Sequence, residues 1–296
     1  MPHKFKEYVR QLNHKKSIRT VASAAIIMGL PIIGAYSYFL AVKNLTLDHV
    51  FFPFSHKFPK LKGLKIAQIS DLHYGPTNKD PRFFNRAVDM ILEQEPDLIF
   101  LTGDYYQWDP EYLGDLPKIL SRLAAPLGVY GVFGNHDYGA CYPGTLYCDP
   151  FDHNDLKSHF GANNIAMLTN EALDIDFNGQ QLNLVGMHDL WSGFFDPQIA
   201  FTHTDSNLPT LVLSHNPDTV HLIEHDFDIM FSGHVHGGQF SLPLIGPIAV
   251  PIKDRHLRRG LHQITERKHL YVNRGLGYTF RMRWNSPPEV TLIEMV

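Results

Sequence analysis

The 296 residues carry 26 Lys and Arg against 30 Asp and Glu, a formal net charge of −4, and 44% of them are hydrophobic. Positive charge is only local, which argues against a nucleic-acid partner, and two cysteines cannot build a disulfide framework. The stretch from Leu64 to the C-terminus is long enough to bury one large core.

The chain opens with a basic flank, residues 1–19, holding Lys4, Lys6, Arg10, Lys15, Lys16 and Arg19. Thr20 to Val42 then contains no charged residue and can cross a hydrocarbon core of ~30 Å, so it predicts an N-terminal membrane helix. The run exceeds a signal-peptide h-region and lacks a clear small-x-small cleavage site, which favours a retained single anchor in a bacterial cytoplasmic membrane. The N-terminal cations favour an exported domain. Gly29, Pro31 and Gly34 permit instead a kinked or re-entrant anchor, and Lys43, Lys57, Lys60, Lys62 and Lys65 make the second flank basic too, so the membrane face stays open. Residues 43–63 read as a juxtamembrane linker and 64–296 as the main domain.

From Leu64 the chain repeats one grammar, an apolar run that ends in a polar motif. Leu64–Ser70 delivers Asp71-Leu72-His73; Asp97–Thr102 delivers Gly103-Asp104; Gly128–Phe133 delivers Gly134-Asn135-His136-Asp137. Between the first two runs, Asp80-Pro81 opens a helix with Phe84, Ala87, Val88, Ile91 and Leu92 on one stripe. Cys141 and Cys148 follow in a Tyr-, Pro- and Gly-rich stretch, where one bridge is allowed but not demanded. Asn178-Gly179 between two alternating runs predicts a tight hairpin. His188-Asp189 then follows a strand ending at Met187 and can approach the pocket, although an ordinary packing role is the default for His188. Pro209–Leu213 delivers Ser214-His215-Asn216, and Phe227–Phe231 delivers Gly233-His234-Val235-His236-Gly237-Gly238-Gln239. Alternating strands and helices imply sheets with covered faces and ligands beyond the strand ends. Asp, Asn and His donors suit Zn, Mn or Fe rather than a thiolate site.

Five such motifs in this order resemble the calcineurin-like metallophosphoesterases. Ser214-His215-Asn216-Pro217-Asp218, the Gly-Gly-Gln after His236, and Asn273-Arg274-Gly275-Leu276-Gly277 followed by Pro287-Pro288-Glu289 look like the membrane-associated bacterial branch of YkuE, YaeI and the UDP-2,3-diacylglucosamine pyrophosphatases. The resemblance implies an α/β, four-layer αββα sandwich and two divalent metal ions, with Mn²⁺ favoured and Zn²⁺ or Fe as alternatives. It assigns Asp71, His73 and His236 to one metal, Asn135, His215 and His234 to the other, and Asp104 as the bridge, which a pair of cations ~3.5–4 Å apart requires. It makes His136 the residue that stabilises charge or protonates the leaving oxygen, with Asp137 orienting its ring. Arg283 precedes Pro287-Pro288-Glu289 at the spacing where relatives place an arginine, and is the candidate substrate contact; Arg281 stands where relatives often have Pro.

The function implied is a membrane-bound phosphohydrolase that cleaves a phosphodiester or pyrophosphate by metal-activated water. The anchor, the basic stretch from Lys253 to Arg283 and the apolar run Leu242–Pro251 favour a lipid-linked substrate such as UDP-2,3-diacylglucosamine, giving lipid X and UMP. The alternatives are an envelope phosphodiesterase or phosphatase acting on wall polymer or phospholipid, a nuclease, for which no accessory DNA-binding segment is visible, and a non-catalytic membrane scaffold. A scaffold has no physical need for a complete ligand set.

Overall fold

Runs such as Leu98–Thr102 are apolar without interruption because both of their faces are covered. A computed structural model of the chain describes residue 29 and residues 31–54, 57–107, 115–139, 153–242, 245–247 and 250–296. Two six-stranded sheets form its frame. The first runs in the order β1 (Thr46–Phe52), β14 (Glu289–Met295), β2 (Lys65–Ile69), β3 (Leu98–Thr102), β4 (Val129–Val132), β5 (Ala166–Met167). The second runs β12 (Gly260–Gln263), β13 (His269–Val272), β9 (Ile229–Ser232), β8 (Thr210–Leu213), β7 (Gln180–Gly186), β6 (Glu171–Phe177). Ser241–Leu242 and Gly246–Pro247 form a separate short ribbon, β10 and β11.

The period of two along each strand separates the layers. In β3, Leu98 and Phe100 face a core shared with Leu211, Leu213, Ile229 and Phe231 of the second sheet. Ile99 and Leu101 face the other way, onto the helix Pro81–Leu92. In β8 and β9, Val212 and Met230 likewise face outward, against Phe201, Val220 and Ile223. The predicted αββα layering follows from this alternation. The helix starts where expected: the Asp80 carboxylate accepts the Phe83 N–H at 3.3 Å, Pro81 takes the first turn, and Phe83, Phe84, Ala87, Val88 and Ile91 are buried. Asn178 and Gly179 both have positive φ, 54° and 73°, as the two-residue turn between β6 and β7 requires.

One expectation about the N-terminal region needs correction. Residues 43–63 are not a free linker, because Thr46–Phe52 pairs in parallel with β14 and Phe52 is buried between the sheets. Residues 20–28 and 30 of the predicted membrane segment lie outside the described residues, and among the described residues no helix is long and apolar enough to cross a membrane. Its C-terminal end belongs to the domain: Ser37, Ala41 and Val42 are buried, the Arg283 N–H donates to the Ser37 carbonyl at 3.2 Å, and the Tyr36 ring meets Trp284 edge-on at 5.8 Å. Ile32, Phe39 and Leu40 stay exposed. Cys141 and Cys148 lie outside the described residues.

Candidate metal centre

The ligand-bearing loops leave the C-terminal ends of parallel strands in both sheets, where an open α/β sheet presents its ligands. Asp71 and His73 follow β2, Asp104 follows β3, Asn135 and His136 follow β4, His215 follows β8, and His234 and His236 follow β9. All are buried. Gly103 turns with φ of 90°, and a Cβ there would come within 2.6 Å of the Gly134 nitrogen and 2.7 Å of His215 Nδ1. Only glycine lets β3 and β4 bring their loops together with His215 at this point.

Two donor clusters result. Asp71, His73 and His236 form one, and Asp104, His215 and His234 the other. His73 Nε2 and His236 Nε2 face each other at 3.0 Å, with Asp71 Oδ1 3.5 Å from the latter. Asp104 Oδ2 lies between the clusters, 3.4 Å from His73 Nε2 and 3.2 Å from His215 Nε2. In the second cluster two backbone carbonyls fix the tautomers. Thr102 accepts the Nδ1–H of His215 at 2.6 Å and Pro251 accepts the Nε2–H of His234 at 3.3 Å. The remaining ring nitrogens, His215 Nε2 and His234 Nδ1, then face each other across 3.2 Å. Two such nitrogens require a cation between them, a proton on His215 or a metal ion in its place, so the donor set fits a metal.

Electrostatics agree with that reading. Burial pushes the pKa of His73 and His236 well below the usual imidazole value and that of His234 to about 3, which keeps them neutral and ready to ligate. Against burial, the charges of His215 and His136 hold Asp104 well below the usual carboxylate range. Burial would lower His215, yet Asp104, Asp71 and Asp189 together hold it well above its usual value. Negative charge that retains a proton on His215 favours a divalent cation for the same reason.

Asn135 is buried at the start of the 3₁₀ turn Asn135–Tyr138, on the loop that also carries His136. A ring nitrogen of His136 comes within 4.8 Å of ligand atoms of His73 and Asp104. Its ring is not oriented by Asp137. The Gln107 carbonyl accepts the His136 Nδ1–H at 2.9 Å, while the Asp137 carboxylate accepts the backbone N–H groups of Asp104, Tyr105, Tyr106 and Gly134 at 2.8–3.3 Å. Asp137 is therefore a clamp that holds the β3 and β4 loops together. No sequence signal could mark Gln107, because its part is played by a carbonyl oxygen.

Arg283 also departs from its expected role. It is fully buried, and its guanidinium donates to the carbonyls of Arg274, Gly275, Gly277 and Ser286, so it binds its own loop instead of facing substrate. Arg274, from the same basic stretch, pairs with Glu289 and Asp48 at 2.8 Å each. His188 accepts or donates at 2.5 Å to the Tyr138 hydroxyl, which agrees with a packing role. Sequence reasoning missed Trp191, whose ring meets His234 edge-on at 4.6 Å, and Thr279, whose hydroxyl is 3.4 Å from His236 Nε2.

A cavity of about 620 Å³ opens beside His234 and His236. Val235, Phe240, Val250, Pro251, Phe280 and Met282 make its wall largely apolar. The volume falls within the ~300–1,000 Å³ of small-molecule sites.

The family model described as calcineurin-like phosphoesterase matches residues 64–238. The chain is 37% identical to the phosphodiesterase YaeI of Escherichia coli, over 78% of this chain and 82% of that protein. It is 32% identical to the UDP-2,3-diacylglucosamine pyrophosphatase LpxG of Chlamydia muridarum, over 93% and 96%. It is 31% identical to the metallophosphoesterase YkuE of Bacillus subtilis, over 79% of each. With the family motif spanning both donor clusters, the chain belongs to the calcineurin-like phosphoesterases, metal-dependent enzymes that hydrolyse phosphate esters and anhydrides.

Proposed function

We propose that the protein is a membrane-associated hydrolase of a lipid-linked phosphodiester or pyrophosphate, with UDP-2,3-diacylglucosamine, cleaved to lipid X and UMP, as the specific substrate. The observation that carries this reading is the apolar cavity against His234 and His236. A hydrolase of small polar esters has no use for Val235, Phe240, Phe280 and Met282 beside its ligands, whereas an acylated substrate buries its chains there at about 25 cal/mol per Å². The exposed Ile32, Phe39 and Leu40, on the segment whose Tyr36 ring meets Trp284, support an approach from the bilayer surface. The similarity to LpxG over 93% of the chain supports the same substrate class.

Two divalent cations held by Asp71, His73, His236, Asp104, Asn135, His215 and His234 would polarise the phosphoryl oxygens and lower the pKa of an attacking water. The protein's own groups do the rest. His136, with Nδ1–H fixed on Gln107, has Nε2 as its exchangeable nitrogen, set beside His73 and Asp104 to give a proton to the leaving oxygen. Thr102, Pro251 and the Asp137 clamp hold ligand orientation, so little reorganisation is needed during reaction.

The test is turnover by the purified full chain with Mn²⁺ in mixed micelles, comparing UDP-2,3-diacylglucosamine with its unacylated sugar nucleotide. At least a tenfold preference in kcat/KM for the acylated form is expected. Equal turnover of both, or none of either alongside rapid hydrolysis of bis(p-nitrophenyl) phosphate, would favour an envelope phosphodiesterase, the reading that the likeness to YaeI supports.

A further inference from the structure

One buried carboxylate near the metal centre has no part in the ligand set. Asp189 follows β7, and the β7 and β8 strands run parallel in register with Gly186 opposite Leu213. The ladder continues through the Met187 N–H to the Leu213 carbonyl at 3.1 Å, so Asp189 emerges level with His215 and Asn216. Asp189 is fully buried. Its Oδ1 accepts the Trp191 N–H at 2.8 Å, but its Oδ2 has no hydrogen-bond partner among the described residues. At the same level Asn216 Nδ2, a donor, is also buried and unpartnered among the described residues. The turn that Asp189 opens then sets the Trp191 ring on His234.

An unmatched buried carboxylate oxygen is costly, more so when charged, and persists in a native fold only for a reason. The two donor clusters supply one. The first has a carboxylate of its own, Asp71, and shares Asp104; the second has only its share of Asp104. Asp189 is not within direct ligating reach of that cluster, yet its charge acts on both His215 and Asp104.

We infer that Asp189 is a positioning carboxylate of the second metal subsite, holding through a water molecule the cation ligated by Asn135, His215 and His234 and supplying the negative charge that subsite lacks. The inference rests on the two-metal reading of the family. It predicts a residue whose removal costs metal and not fold, since outer-sphere partners of metal ligands typically carry a ~10–100-fold effect on affinity.

The experiment is Mn²⁺ binding by equilibrium dialysis to the full chain and to Asp189→Asn, with thermal unfolding of both after chelation. Asp189→Asn should hold one ion as the parent does and bind the second ~10–100-fold more weakly. Its metal-free melting temperature should equal or exceed the parent's, because a buried unpaired charge has gone. Asp189→Ser, which leaves room for a water, repeats the comparison should the amide misfold. Two ions bound with parental affinity would overturn the inference, as would a metal-free melting temperature lowered in both variants, which marks a structural residue. A parent chain that binds fewer than two ions would instead overturn the two-metal reading beneath it.

Discussion

Replacing Arg283 with Lys separates a structural arginine from a substrate-binding one. The guanidinium spans four carbonyl oxygens with five contacts: Nε to Gly277 at 3.0 Å, Nη1 to Ser286 at 2.9 Å, and Nη2 to Arg274 at 3.0 Å, to Gly275 at 2.9 Å and again to Gly277. An ammonium has three donors on one atom and cannot span the same oxygens. At least two charge-assisted bonds are lost, at about 1.5–3 kcal/mol each, so the cost is about 3–6 kcal/mol. Burial already draws the Arg283 pKa down to about 9, and a lysine there would meet the same desolvation with fewer bonds to offset it. At ~2–4 °C per kcal/mol for a domain of this size, the melting temperature should fall on the order of 10–20 °C. The assays are thermal unfolding and, well below the transition, steady-state hydrolysis of bis(p-nitrophenyl) phosphate, whose KM should stay near the parent's. A variant that melts with the parent but needs tenfold more substrate would refute this account and return Arg283 to the substrate.

Asp104→Ala should abolish turnover and reduce metal content at both clusters, because its Oδ2 lies within 3.4 Å of ligand nitrogens in each; two ions retained on elemental analysis would contradict a bridge. His136→Ala should keep both ions and lose about 100-fold or more in kcat, the scale of a lost acid, and loss of an ion would show that His136 is a ligand. Removing residues 1–30 should leave hydrolysis of a soluble diester unchanged, whereas removing 1–42 should lower the melting temperature by exposing the sites of Ser37, Ala41 and Val42; equal melting of the two would place the helix end outside the domain. Asp80→Ala should cost about 1 kcal/mol in urea unfolding through the lost cap of the Phe83 N–H, a cost absent if the cap is not made.

The sequence made the inner strands legible because each is covered on both faces, so Leu98–Thr102 and Thr210–Leu213 appear as plain apolar runs. The Asn178-Gly179 turn was legible because few dipeptides accept two positive φ angles. Side-chain ligands were legible for a related reason, since a donor that must follow a strand end keeps a fixed place in a short motif. What failed among the polar residues has one physical cause: spacing along the chain does not say where a polar group points. Arg283 sits at the expected spacing, but its charge is used up by the carbonyls of its own loop. Asp137 adjoins His136, but four backbone N–H groups take its oxygens. The edge strand β1 was read as linker because its partner, β14, stands at the other end of the chain.

The backbone beside the metals supports the view that these loops are shaped for coordination and not for their own stability. Asp71, His73, Asp104, His234 and His236 all have φ between 44° and 71°, a region that few non-glycine residues occupy. At ~1–3 kcal/mol each, this strain approaches the whole stability of an ordinary domain, about 5–15 kcal/mol, so other contacts must hold the loops in place. The carboxylates do this through backbone N–H groups. Both oxygens of Asp71 accept the His234 N–H at 2.9 Å, which ties a loop of the first sheet to a loop of the second. Asp104 Oδ1 accepts the His136 N–H at 2.9 Å and leaves Oδ2 for the metals. Asp137, with no ligand role, secures the same two loops from behind. Asp71 therefore offers a metal donor and sets the position of His234, and Asp104 does the same for His136. An alanine at Asp71 removes a donor and also releases the strained His234, and one at Asp104 removes a donor and releases His136, which makes the two losses inseparable by truncation and separable only by metal binding measured on the isosteric amide.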